Sequence, residues 1–82
     1  MRVDTLNNLN IDEDAVIISN DVMSSNRKNL INLGISDGSS IRCLYSSPFG
    51  DPRAYVVKNV MLAIRNDDAS NIFVLRNSNG SY

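Results

Sequence analysis

Residues 40–65 read SIRCLYSSPFGDPRAYVVKNVMLAIR, and three β-rich runs joined by two turns can be marked in them directly. The runs Ser40–Ser46, Arg53–Lys58 and Val60–Arg65 are dense in the β-branched and aromatic side chains that suit a pleated surface. Pro48-Phe49-Gly50-Asp51-Pro52 separates the first two runs. Its prolines lack the N–H that a sheet interior needs, and Gly50 supplies a backbone shape closed to other residues. Lys58-Asn59 joins the second run to the third, and asparagine is among the few non-glycine residues that tolerate positive φ. The stretch is an antiparallel meander.

Working outward, Ala15–Asn20 and Ile72–Arg76 add two more strands. One helix is predicted between the first strand and the meander, over Ser25–Leu33. Ser24 or Ser25 offers an oxygen to the free amides of its first turn. Gly34 stands where a left-handed cap is needed, and Ile35 closes back on Leu30 in a Schellman end. Met23, Leu30 and Leu33 form a narrow apolar stripe. Asp37-Gly38 marks a tight turn before the second strand. A single helical turn is expected over Asp67–Asn71, where carboxylates favour a helix start. Five short, mainly antiparallel strands with one helix inserted after the first predict a small β-barrel, whose closure removes exposed edges. The folded unit is read as residues 1–76, with Asn77–Tyr82 a disordered polar tail.

Composition narrows the function. The chain has 82 residues, 43% hydrophobic and 21% charged, with a formal charge of -1, no histidine, no tryptophan and one cysteine. That is enough for one small domain. It excludes a disulfide framework, a Cys/His zinc site and every histidine-dependent triad. The near-neutral balance and 6% aromatic content argue against nucleic acid and anionic membrane surfaces as partners. The longest aliphatic run, Ala15-Val16-Ile17-Ile18, is far short of the roughly 20 residues that span a bilayer, so no membrane insertion is expected. A start without an apolar signal core and a lone Cys43 point to the cytoplasm.

Strand alternation assigns faces. Val16, Ile18, Ile41, Cys43, Tyr45, Tyr55, Val57, Leu62, Ile64, Ile72 and Val74 are expected inside, with Leu6, Leu9, Leu30 and Leu33 over an open end. Each buried aliphatic contributes about 1.5–3 kcal/mol. The opposite face carries Leu44, Ala54, Val56, Val60 and Ala63 or Met61, where water alone calls for polar residues. Two readings are open: the helix or the N-terminal segment covers it, or it docks on another protein or a second copy of this chain. Neither a catalytic set nor a cofactor site emerges. Cys43 sits mid-strand with no activating partner and reads as core. Asp12-Glu13-Asp14 lacks the glycine of a calcium loop, since Ile17 fills that position, and reads as a solvated turn. Asp51 reads as capping its own turn. No phosphate-binding G-x-x-x-x-G-K-[ST] loop is present.

Taken in order, Leu6-x-x-Leu9, an acidic turn and aliphatic strand, Leu30-x-x-Leu33-Gly34-Ile35-x-x-Gly38, Pro48-Phe49-Gly50-Asp51-Pro52 and Ala63-Ile64-Arg65-x-x-x-Ala69-x-x-Ile72-x-Val74 resemble the FeoA family across residues 4–76. The resemblance implies an SH3-like β-barrel with an inserted helix. It also implies a non-enzymatic accessory role in bacterial ferrous iron uptake, through the cytoplasmic G-domain of the membrane transporter FeoB. The partner contacts expected here are Leu44, Val56 and Met61 on the outer face, Phe49 at the loop tip, and Arg27 and Lys28 on the helix. The alternative is a transition-metal-binding or regulatory barrel related to the C-terminal domain of iron-dependent repressors. Fe(II) favours imidazole with carboxylate, so no preformed iron site is expected from these ligands. Asp12, Asn29, Asp37 and Asn59 stand where the family commonly has glycine, a basic residue, proline and glycine.

Overall fold

Six strands and two short helices follow one another in the computed structural model, which describes residues 2–76; the expected tail, 77–82, lies outside the described residues. The elements are β1 (Arg2–Thr5), a 3₁₀ turn (Leu6–Asn8), β2 (Asp14–Asn20), α1 (Asn26–Asn32), β3 (Ser40–Ser46), β4 (Arg53–Val57), β5 (Val60–Ile64), α2 (Asn66–Ala69) and β6 (Ile72–Arg76). All neighbours are antiparallel, in the order β1-β6-β2-β3-β4-β5. The five expected strands are present, and β1 is a sixth. The expected closure is not made by a ladder, because β1 and β5 remain at opposite ends of the sheet.

The local devices explain the elements. The amide of Ile35 donates to Leu30 at 2.9 Å and that of Gly34 to Ile31 at 3.0 Å, the paired bonds of a Schellman end, with Gly34 at φ 110°. At the other end Ser24, not Ser25, holds the Asn26 amide through its Oγ at 3.2 Å. Lys58 and Asn59 both have positive φ, 51° and 65°, which makes the two-residue β4–β5 link a type I′ turn. Asp12 takes the same left-handed region, φ 67°, before β2. Asp51 does not cap its own turn; its Oδ1 accepts the first amide of α2, from Asn66, at 2.9 Å.

The core gathers Leu6, Leu9, Ile17, Ile35, Ile41, Cys43, Tyr55, Val57, Leu62, Ile64, Ile72 and Val74. Several expected assignments are corrected. In β2 the inward residues are Ala15 and Ile17, whereas Val16 and Ile18 face out. Pairing decides this: Ala15 lies opposite Ile41 and Ile17 opposite Val74, and partners share a face. In β3 Cys43 pairs with Tyr55 but Tyr45 with Ala54, so a bulge at Leu44 turns Tyr45 outward. Of the helix stripe only Leu30 is buried; Met23 and Leu33 are exposed, and Val22 enters the core instead. The acidic turn is not merely solvated. Glu13 takes both Nε and Nη2 of Arg76 at 2.8 Å, and Asp14 takes Arg42 at 2.9 Å.

Candidate functional site

The outer face of β3–β4–β5 is the surface that the sequence singles out, and the structure sorts its residues. Met61 is 60% exposed and Tyr45 53%, and the Tyr45 hydroxyl lies 4.0 Å from the Met61 sulfur. Val56, cross-strand from Met61, is half-buried, as is Leu44 in the bulge. Ala54 is buried; Val60 and Ala63 are exposed. Self-covering, the first of the two readings, accounts for only part of this face. Ala54, Val56 and Leu44 are wholly or partly covered by the chain itself, and Tyr45, Met61 and their neighbours are not. Tyr45 is the exposed residue of this face that sequence alternation missed, since a bulge is set by the partner strand's register and has no local signature.

Phe49 is 96% exposed, yet its loop is fixed from several sides. The Gly50 amide donates to Ser47 at 2.8 Å and the Ser47 amide to Pro52 at 3.1 Å, while Asn66 Nδ2 donates to the Gly50 carbonyl at 3.0 Å. Gly50 turns the chain at φ 84°. A bare aromatic ring on a tied loop loses little entropy when it is clasped, which is how binding anchors behave.

Arg27 and Lys28 are not part of this face. Arg27 donates its Nε to the Asn20 carbonyl at 2.9 Å and lines a depression of about 280 Å³ with Ile18 and Ile31. Asn20, itself buried, donates to Ile35 and accepts from Val22, so Arg27 serves the junction of β2 and α1. Lys28 is exposed and makes no ion pair among the described residues.

Cys43 is fully buried and burial pushes its thiol pKa up, away from thiolate chemistry. Burial likewise pushes Tyr55 up to about 12, and its hydroxyl has no partner among the protein atoms described. Among the described residues no three His, Cys, Asp or Glu side chains converge as a metal would require. Asp12, Glu13 and Asp14 diverge, the last two to different arginines. No described helix is long and apolar enough to cross a membrane.

The architecture defines a small SH3-like β domain, a single twisted antiparallel sheet wrapped round one core. FeoA of Stenotrophomonas maltophilia, an SH3 domain protein solved with zinc, is 27% identical, with a TM-score of 0.75 over 87% of this chain and 88% of that one. A family model, the FeoA domain, matches residues 5–76, and the chain belongs to the FeoA family. The FeoA-like protein of Clostridium acetobutylicum is 26% identical, with a TM-score of 0.80 over 93% of this chain and 88% of that one. IdeR of T. acidophilum, at 21% identity and a TM-score of 0.71, shares the fold alone; the match covers 93% of this chain and 35% of that one. Among curated proteins none matches the chain.

Proposed function

We propose that the chain is a non-enzymatic, cytoplasmic accessory protein of ferrous iron uptake that docks on the cytoplasmic G-domain of an FeoB-like membrane transporter. Family membership supports the pathway, and the S. maltophilia relative has been put forward as a ferrous iron transport activating factor. The observation that carries the docking reading is Phe49: a fully presented aromatic on an immobilised loop, between the strands that bear Tyr45 and Val56. Docking acts on the transporter by favouring one nucleotide state, which requires different affinities for the two states.

The test is calorimetric titration of the chain into the soluble part of such a transporter, loaded with GTP and then with GDP. Phe49→Ala is expected to weaken binding at least about tenfold, the scale of an aromatic anchor. Met61→Asp is expected to do the same. Both side chains are exposed, so the thermal midpoint stays put. A folded Phe49→Ala protein that binds as tightly as the parent sinks the reading.

A further inference from the structure

β5 is an edge strand without the usual defences. Val60-Met61-Leu62-Ala63-Ile64 has no charge, no proline and no bulge, and among the described residues only β4 pairs with it. The type I′ turn makes Val57 and Val60 a hydrogen-bonded pair, so in strict alternation Met61 and Ala63 turn their N–H and C=O groups away from β4. That free edge opens into a groove of about 370 Å³ between β5 and α1. Consecutive residues Met61 to Arg65 line it, so the strand's edge, and not one of its faces, forms the wall. Across the groove stand Leu30 and Leu33, with the Asn29 side chain, which makes no hydrogen bond to a described residue.

Charge indicates what fits there. Among the described residues five basic side chains pair with no carboxylate. Arg27 and Arg53 donate to main-chain carbonyls, and of Lys28, Lys58 and Arg65 the last two bracket β5, Lys58 before its start and Arg65 directly after its end. Asp4, Asp12 and Glu13 lie away from it, on β1 and on the approach to β2. Asp14 shares a depression with Lys58 and is held by Arg42 at 2.9 Å, and Asp51 accepts the Asn66 amide, next to Arg65, at 2.9 Å. Asp68, the one carboxylate among the described lining residues, accepts from Ser24 at 3.3 Å and Asn26 at 3.2 Å and keeps its charge at the α1 side of the groove.

We infer that β5 is a strand-addition site, taking an extended peptide segment with a small apolar centre and acidic flanks from a partner protein. The segment adds a seventh strand to the sheet: Met61 and Ala63 supply the main-chain bonds, Leu30 and Leu33 meet alternate side chains, and Lys58 and Arg65 meet the flanking carboxylates. This holds whichever protein supplies the strand, and it uses backbone groups that the Phe49 reading does not.

The test uses two acetylated, amidated probe peptides, Glu-Val-Thr-Val-Thr-Glu and Lys-Val-Thr-Val-Thr-Lys, with calorimetry and residue-resolved amide exchange. The acidic peptide is expected to bind with a Kd of about 0.1–1 mM, to slow exchange at Met61 and Ala63, and to outbind the basic one by about tenfold. Ala63→Pro deletes one outward N–H and is expected to lose about tenfold in affinity. Lys58→Glu with Arg65→Glu, both exposed positions, keeps the fold testable and is expected to invert the peptide preference. Three results with peptide overturn the inference: no binding of the acidic peptide at about 2 mM, equal affinity for both peptides, or binding that leaves Met61 and Ala63 unprotected. Protection of those amides that rises with protein concentration and no peptide also overturns it, since a second copy is then the occupant.

Discussion

Arg76 ends β6, between β1 and β2, and its side chain is only 11% exposed. It donates to Asp4 on β1 and to Glu13 before β2, so one side chain gathers three segments. Asp4 is held down to about 2 by the Asn8 amide, the Thr5 N–H and Arg76, in that order, and Glu13 is lowered chiefly by Arg76. Both carboxylates ionise more readily folded than unfolded. Their stabilisation is therefore complete above the unfolded values near 4 and is lost as pH falls through 4 towards 2. Urea unfolding followed from pH 7 to pH 2.5 should show a midpoint that is flat above about pH 5 and falls steeply below 4. Arg76→Met should cost about 2 kcal/mol at neutral pH and flatten the Glu13 part of that acid limb. An unchanged limb in the variant shows that Asn8 and the backbone carry the effect. Little of this was legible in sequence: Asp12-Glu13-Asp14 looks the same whether it meets water or an arginine some sixty positions on.

At the scale of the element, legibility follows how local the cause is. The end of α1 could be read because a left-handed residue followed by an apolar one has few other uses, and both Schellman bonds are present. The parity of β2 could not, since Ala15 to Ile18 are aliphatic without a break and only Ile41 and Val74 across the ladders say which two point inward. β1 was hidden for the opposite reason: Arg2-Val3-Asp4-Thr5 has a single aliphatic residue, and its pairing with β6 makes it a strand. For the candidate site, Phe49 was legible from the prolines and glycine that hold it out, and Tyr45 was not, because the bulge at Leu44 belongs to the β3–β4 register. The cap itself is testable. A Cβ on Gly34 meets the Lys58 side chain at 3.3 Å and Val57 at 3.5 Å, on a backbone at φ 110°. Gly34→Ala should destabilise by about 1–2 kcal/mol, from strain at positive φ more than from the contact. Equal thermal midpoints for variant and parent contradict a strained cap.

For the molecule as a whole, the question is how a sheet with two unpaired ends keeps its core sealed. β1 and β5 do not pair, yet Leu6 and Leu9, in the segment after β1, are almost fully buried in the core. The link is Arg53, the first residue of β4. Its two terminal nitrogens donate to the Asn7 and Leu9 carbonyls, each at 2.7 Å, so a guanidinium does across the gap what a ladder does elsewhere. Fork geometry suits the task, because one planar group reaches two carbonyls at once. Arg53→Met keeps the stem and deletes both donors, leaving two carbonyls short of partners. It should cost about 2–3 kcal/mol in urea unfolding, with amide exchange rising first around Leu6–Leu9. Arg53→Lys, with one compact ammonium, should fall between variant and parent. If Arg53→Met unfolds within about 0.5 kcal/mol of the parent, leucine packing alone seals that end. The side chain is then dispensable to the fold, and the far edge of the sheet stands more open than its geometry implies.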